Sequence, residues 1–124
     1  MSGPAGDHHV SPREQYPDDS TGRVLALMAE SGFHMDRPME INFHVAVPTE
    51  DAGKLVAEEA RARGYRAEVN DSPKCRLPWT CECTRVMVPT YAAVVAAENE
   101  VDELGRRSGG FADGFGSFGD IRHN

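Results

Sequence analysis

Cys75, Cys81 and Cys83, together with His34 and His44, are the side chains that metal or nucleophile chemistry would recruit in this sequence. Cys81 and Cys83 are two positions apart, which on a strand puts both on one side of a sheet with their Cα atoms about 7 Å apart. That separation does not make a ready disulfide, and the spacing lacks the Cys-x-x-Cys knuckle of structural zinc sites. With Trp79 the two cysteines read as small apolar groups on the core face, leaving Thr80, Glu82 and Thr84 on the other. Cys75 lies between Pro73 and Pro78 in a loop, and reads as an exposed, oxidisable thiol. His8 and His9 have too few neighbouring ligands for a metal and read as solvated tail residues. A carboxylate beside an imidazole serves proton transfer, and Glu82 would lie next to His44 if their strands pair in register. No nucleophile elbow, Walker sequence or dinucleotide fingerprint surrounds that pair. The expectation is therefore no enzyme, no cofactor and no metal.

The elements that would position these residues follow from periodicity. Ile41, Phe43, Val45 and Val47 alternate with Asn42, His44 and Ala46, the period of a half-buried strand. Pro48-Thr49 ends that strand and opens a helix, with Thr49 as N-cap, Glu50 and Asp51 at the positive end of the dipole, and an apolar stripe of Ala52, Leu55, Val56 and Ala60. Gly64 closes it. Tyr65, Ala67 and Val69 mark a second strand, Asn70-Asp71-Ser72-Pro73 is turn chemistry, and a third strand runs from Trp79 to Val88. Pro89-Thr90 repeats the helix opening, and Tyr91, Val94, Val101 and Leu104 share one face of a helix that ends near Gly109-Gly110. Phe111 to Phe118 reads as a last short strand. Ahead of all these, Ser20-Thr21 caps a short leader helix that stops at Gly32.

The order predicts an α+β, ferredoxin-like βαββαβ sandwich: a four-stranded antiparallel sheet with two helices on one face, preceded by the short N-terminal helix. The other face is open, with Asn42, His44 and Glu82 on it. Aromatic residues that stack bases on the central strands of RNA-recognition sheets are missing from the first strand's open positions. Length and composition agree with one domain: 124 residues at 40% hydrophobic content hold one core. The expected layout is a flexible arm over 1–19, a domain over 20–119 and a tail over 120–124. Acidic residues outnumber Lys and Arg by 20 to 13, a formal charge of −7, so the counterion-release drive for nucleic-acid binding is missing. No apolar run reaches membrane length, the first fifteen residues lack a signal-peptide core, and three cysteines are an odd count for a disulfide framework. These features point to a cytoplasmic protein that binds neither membrane nor nucleic acid directly.

Four pieces of the sequence together resemble the RraB family: Tyr16-Pro17-Asp18-Asp19, the helix Ala52 to Gly64, Trp79 with Arg85-Val86-Met87-Val88-Pro89, and the close Gly109-Gly110-Phe111-Ala112-Asp113-Gly114-Phe115-Gly116. The resemblance spans about residues 16 to 119. It implies a ferredoxin-like fold and a regulator that inhibits ribonuclease E by binding its scaffold region rather than by catalysis. Phe115 stands where the family pattern has Trp. Glu58, Glu59, Glu98, Glu100, Asp102 and Glu103 on the two helices, with Phe111, Asp113 and Phe115 on the last strand, are the partner-binding candidates. Acidic helix faces would speed association with a basic partner segment, and the glycine-rich last strand would accept an extended peptide by β-augmentation. An acidic immunity-type module for another protein, or a small enzyme on the open face, are the alternatives.

Overall fold

Alternating apolar residues bury one side of a central strand, and the rest of the architecture is arranged around that strand. The computed structural model describes residues 12–73 and 75–117. Its elements are α1 (Pro12–Gln15), α2 (Ser20–Glu30), β1 (Met39–Val47), α3 (Glu50–Ala62), β2 (Arg66–Asp71), β3 (Trp79–Met87), α4 (Tyr91–Arg107) and β4 (Phe111–Gly116). The sheet order is β2-β3-β1-β4, antiparallel throughout, with the first and third strands in the middle. This is the ferredoxin-like α+β sandwich that the element order predicts.

Met39, Ile41, Phe43, Val45 and Val47 are fully buried on the helix side of β1. Val56, Ala57 and Ala60 from α3, Val94, Val101 and Leu104 from α4, Leu25 and Met28 from α2, and Cys81 and Cys83 from β3 complete one core. The two cysteines are core groups, as expected, with their sulfurs 3.8 Å apart in a weak thiol hydrogen bond and no disulfide between them. The neighbouring Cys81 sulfur and burial push the Cys83 thiol far above the ordinary thiol range. Thr49 caps α3 by accepting from the Ala52 N–H at 3.0 Å, and Thr90 caps α4 by accepting from the Ala93 N–H at 3.1 Å. Gly64 leaves α3 at a φ of +95°, a backbone that side chains disfavour.

The N-terminal boundary differs from expectation. Asp19, not Ser20 or Thr21, is the N-cap of α2: its carboxylate accepts from the Gly22 N–H at 2.7 Å and from the Tyr91 hydroxyl at 2.5 Å. One side chain thus starts the leader helix and ties it to α4. Thr21 makes a second tie by donating to Glu98. Helix α1 and the partly buried Tyr16 lie within the stretch expected to be an arm. His8, His9, Phe118 and the tail at 120–124 lie outside the described residues, and β4 ends at Gly116 rather than Phe118.

Two tests follow. At Gly110 an added Cβ would stand 1.9 Å from the Ala46 carbonyl oxygen, a backbone atom that cannot step aside. Gly110→Ala should therefore destabilise the fold by about 3 kcal/mol, the upper end of overpacking costs, as a lower urea midpoint. The Asp19 carboxyl is held below its usual range by the Tyr91 hydroxyl and the Gly22 amide. Its contribution is complete above the unfolded pKa of about 3.9 and fades as pH falls through the lower folded value. Asp19→Ala should lower the melting temperature at pH 7, and the gap to wild type should narrow in acid.

Candidate functional site

Pairing across the sheet turns separate polar residues into a row. His44 on β1 is the Cα partner of Glu82 on β3, the neighbour relation that the sequence anticipates, and Glu82 is in turn the partner of Glu68 on β2. On the far side of His44 lies a β-bulge. From the pair Phe43↔Phe115 to the pair Val45↔Ala112, β1 advances by two residues and β4 by three, so Asp113 and Gly114 share the space opposite His44. Gly114 takes a φ of +100°, which supplies the backbone freedom that a bulge needs. The uncovered face therefore carries Glu68, Glu82, His44 and Asp113 in line across all four strands.

Two adjoining hollows open on this face, and Glu82 lines both. One, of about 120 Å³, has Glu40, Asn42, Arg66, Glu68 and Thr84 around it. The other, of about 340 Å³, is bordered by His44, Asn70, Ser72, Cys75, Thr80 and Asp113. The face is less open than the alternation implies. Asn42 and Ala46 are buried, not exposed. Thr84 donates to the Asn42 side-chain oxygen at 2.8 Å, a bond between neighbouring strands, and Ala46 lies between Thr80 and Phe111 across the strands. Arg66 spans to Glu40 with two contacts at 3.1 and 3.3 Å, which hold the Glu40 carboxyl below its usual range.

The β2–β3 connection folds back toward this face. Ser72 donates its N–H to the Pro78 carbonyl at 2.7 Å, and its hydroxyl meets that of Thr80 at 2.6 Å. Arg76 then reaches the opposite edge of the sheet, 4.7 Å above the Phe111 ring and 3.6 Å from the Asp113 carboxylate. Cys75 is exposed beside it, as expected, and His34 is exposed elsewhere.

The acidic helix residues are mostly engaged inside the molecule. Glu100 accepts from the Tyr65 hydroxyl at 2.9 Å and pairs with Arg63 and Arg85, the latter stacked on the Tyr65 ring. Burial, then the bond to Glu100, push the Tyr65 phenol well above its usual range. Asp102 accepts the Ala112 N–H and pairs with Arg106. Glu98, whose carboxyl is raised by burial, accepts from Thr21. Glu59 and Glu103 both hold Arg107, and Glu58 is exposed. Phe115 packs on Phe43 at a 6.0 Å ring separation, inside the core layer rather than on the uncovered face. Both edge strands are occupied near their middles: Arg61 donates to the Ala67 carbonyl on β2, and Asp102 takes the Ala112 amide on β4.

Sequence reasoning did not single out Glu68 or Arg76. Alternation in Arg66-Ala67-Glu68-Val69 puts Glu68 on the uncovered side, but its partner is visible only from the register. Arg76 carries no local signal, since its contacts lie across the sheet.

Fold and site define a small α+β protein with a sheet face that no helix covers among the described residues and that is polar and mainly acidic. Residues 18–117 match the family described as regulator of ribonuclease activity B, RraB, and the chain belongs to that family. No curated protein matches the chain.

The opposed carboxylates of Glu68 and Glu82 can be tested by neutralising one. Like charges directly across a ladder are destabilising by a few tenths to about 1 kcal/mol. Glu68→Gln should therefore leave the fold as stable as wild type or raise its urea midpoint, with the slope of the transition unchanged.

Proposed function

We propose that this chain inhibits a ribonuclease E-type endonuclease by binding it, and so regulates RNA decay through contact rather than catalysis. The observation that carries the reading is the match to the ribonuclease-activity regulator family over residues 18–117. The physical chemistry is in keeping with it. A chain of charge −7 is repelled by RNA, so it would meet such an enzyme through protein. A net-negative surface steers a basic protein segment toward it and raises the association rate. The reading places its action in the cytoplasm, where it needs neither a membrane nor a cofactor.

The test is a cleavage assay with purified ribonuclease E and a single-stranded RNA substrate. Added protein should slow cleavage in a saturable way, and inhibition should weaken as salt rises because opposite charges are screened. In the same conditions the protein alone should not shift the RNA in a gel. Full cleavage at saturating protein, with no complex on size-exclusion chromatography, would remove this function and leave only the fold. Turnover of a small substrate that vanishes in His44→Ala would instead favour acid-base chemistry at the His44–Glu82 pair.

A further inference from the structure

Glu68 and Glu82 form a like-charged pair on the uncovered face. They stand directly opposite on neighbouring antiparallel strands about 5 Å apart, where like charges cost stability. Among the described residues neither makes a hydrogen bond or an ion pair; the field of Arg66 reaches both, but its guanidinium N–H groups are given to Glu40. The pair therefore has hydrogen-bond acceptors to offer on the uncovered face.

A second and independent feature of the same face identifies the donor chemistry. At its other end a guanidinium is seated already: Arg76 lies over the Phe111 ring and beside the Asp113 carboxylate. An aromatic face with an adjacent carboxylate suits the flat, forked arginine head better than the compact ammonium of lysine. Arg76 arrives from the loop after β2, at the opposite edge, so this seat is filled across the width of the sheet by a side chain that no ladder bond requires there.

We infer that the uncovered sheet face is a docking surface for an extended, arginine-bearing segment of a protein partner. Glu82 and Glu68 receive one guanidinium. The Phe111–Asp113 seat receives a second, for which Arg76 is the internal competitor. Glu82 and the bulge at Asp113 are two strand spacings apart, about 10 Å, which side chains two or three positions apart on an extended segment bridge with their own length. This names the surface and the partner chemistry for the proposed regulator and rests on that reading. It also assigns the helix acids a structural task, since most of them already hold arginines of this chain.

The test is fluorescence anisotropy with a labelled nine-residue peptide of alternating arginine and glycine, and its lysine counterpart, at fixed salt. The arginine peptide should bind more tightly than the lysine one. The double variant Glu68→Gln, Glu82→Gln should weaken arginine-peptide binding at least tenfold, whereas Glu58→Gln, Glu59→Gln on α3 should change it less than twofold. Arg76→Ala should strengthen binding several-fold, a gain that a damaged fold cannot produce. Equal losses in the sheet and helix variants, or no gain in Arg76→Ala, would overturn the inference. The same variants in the cleavage assay separate the two readings. If the sheet variant inhibits ribonuclease E as well as wild type, the docking face fails and the regulator stands. If wild type does not inhibit while the peptide pattern holds, the regulator fails and the arginine-binding face stands.

Discussion

The register between β1 and β3 is the constraint on which everything else depends. Nine consecutive pairs from Met39↔Met87 to Val47↔Trp79 lock the two central strands. Because side chains alternate, a slip of one residue would carry Ile41, Phe43, Val45 and Val47 into water and turn Asn42 and His44 into the core. Burying four such side chains is worth several kcal/mol, at about 1.5–3 kcal/mol each, so the slipped state is not competitive. That one choice also puts His44 beside Glu82 and lays Cys81 and Cys83 under the helices. The polar row is thus a by-product of the core, held in place by groups on the opposite face.

Close approach on the helix side reinforces the register. Gly105 of α4 sits where a Cβ would come within 2.6 Å of the Val45 side chain, and Gly110 lets the chain pass against the Ala46 carbonyl. Helix α4 can therefore lie on β1 and still deliver β4 to its edge. The bulge at Asp113-Gly114 then absorbs a one-residue excess, so that Ala112 and Phe115 both face the core while Asp113 looks outward. Glycine is needed here for position, and the outward aim of Asp113 is its consequence.

Much of this was legible in the sequence because it is local. Alternation marked β1, Pro-Thr pairs marked two helix starts with the caps where expected, and the element order implied the strand order. The rest depends on partners far apart in the chain. Asp19, Ser20 and Thr21 are all good caps by type, and the Asp19 carboxylate, which serves, is also held by the Tyr91 hydroxyl, 72 residues away. Asn42 reads as exposed by its place in the alternation, yet it is buried with its side-chain oxygen taking the Thr84 hydroxyl. Glu98, Glu100 and Asp102 look like a solvated acidic stripe until Thr21, Tyr65, Arg85 and the Ala112 amide are brought to them.

That redistribution of charge changes where a partner would best attach. A carboxylate already paired within its own molecule offers an incoming cation little, since the new contact must replace an existing one. The same holds for the edges of the sheet, where Arg61 and Asp102 occupy groups that an added strand would need. On the face between the edges, Glu68 and Glu82 make no hydrogen bond or ion pair among the described residues, and they stand on a ladder that the core will not let move. The stability of the core thus fixes two carboxylates side by side on the surface, within reach of a single guanidinium.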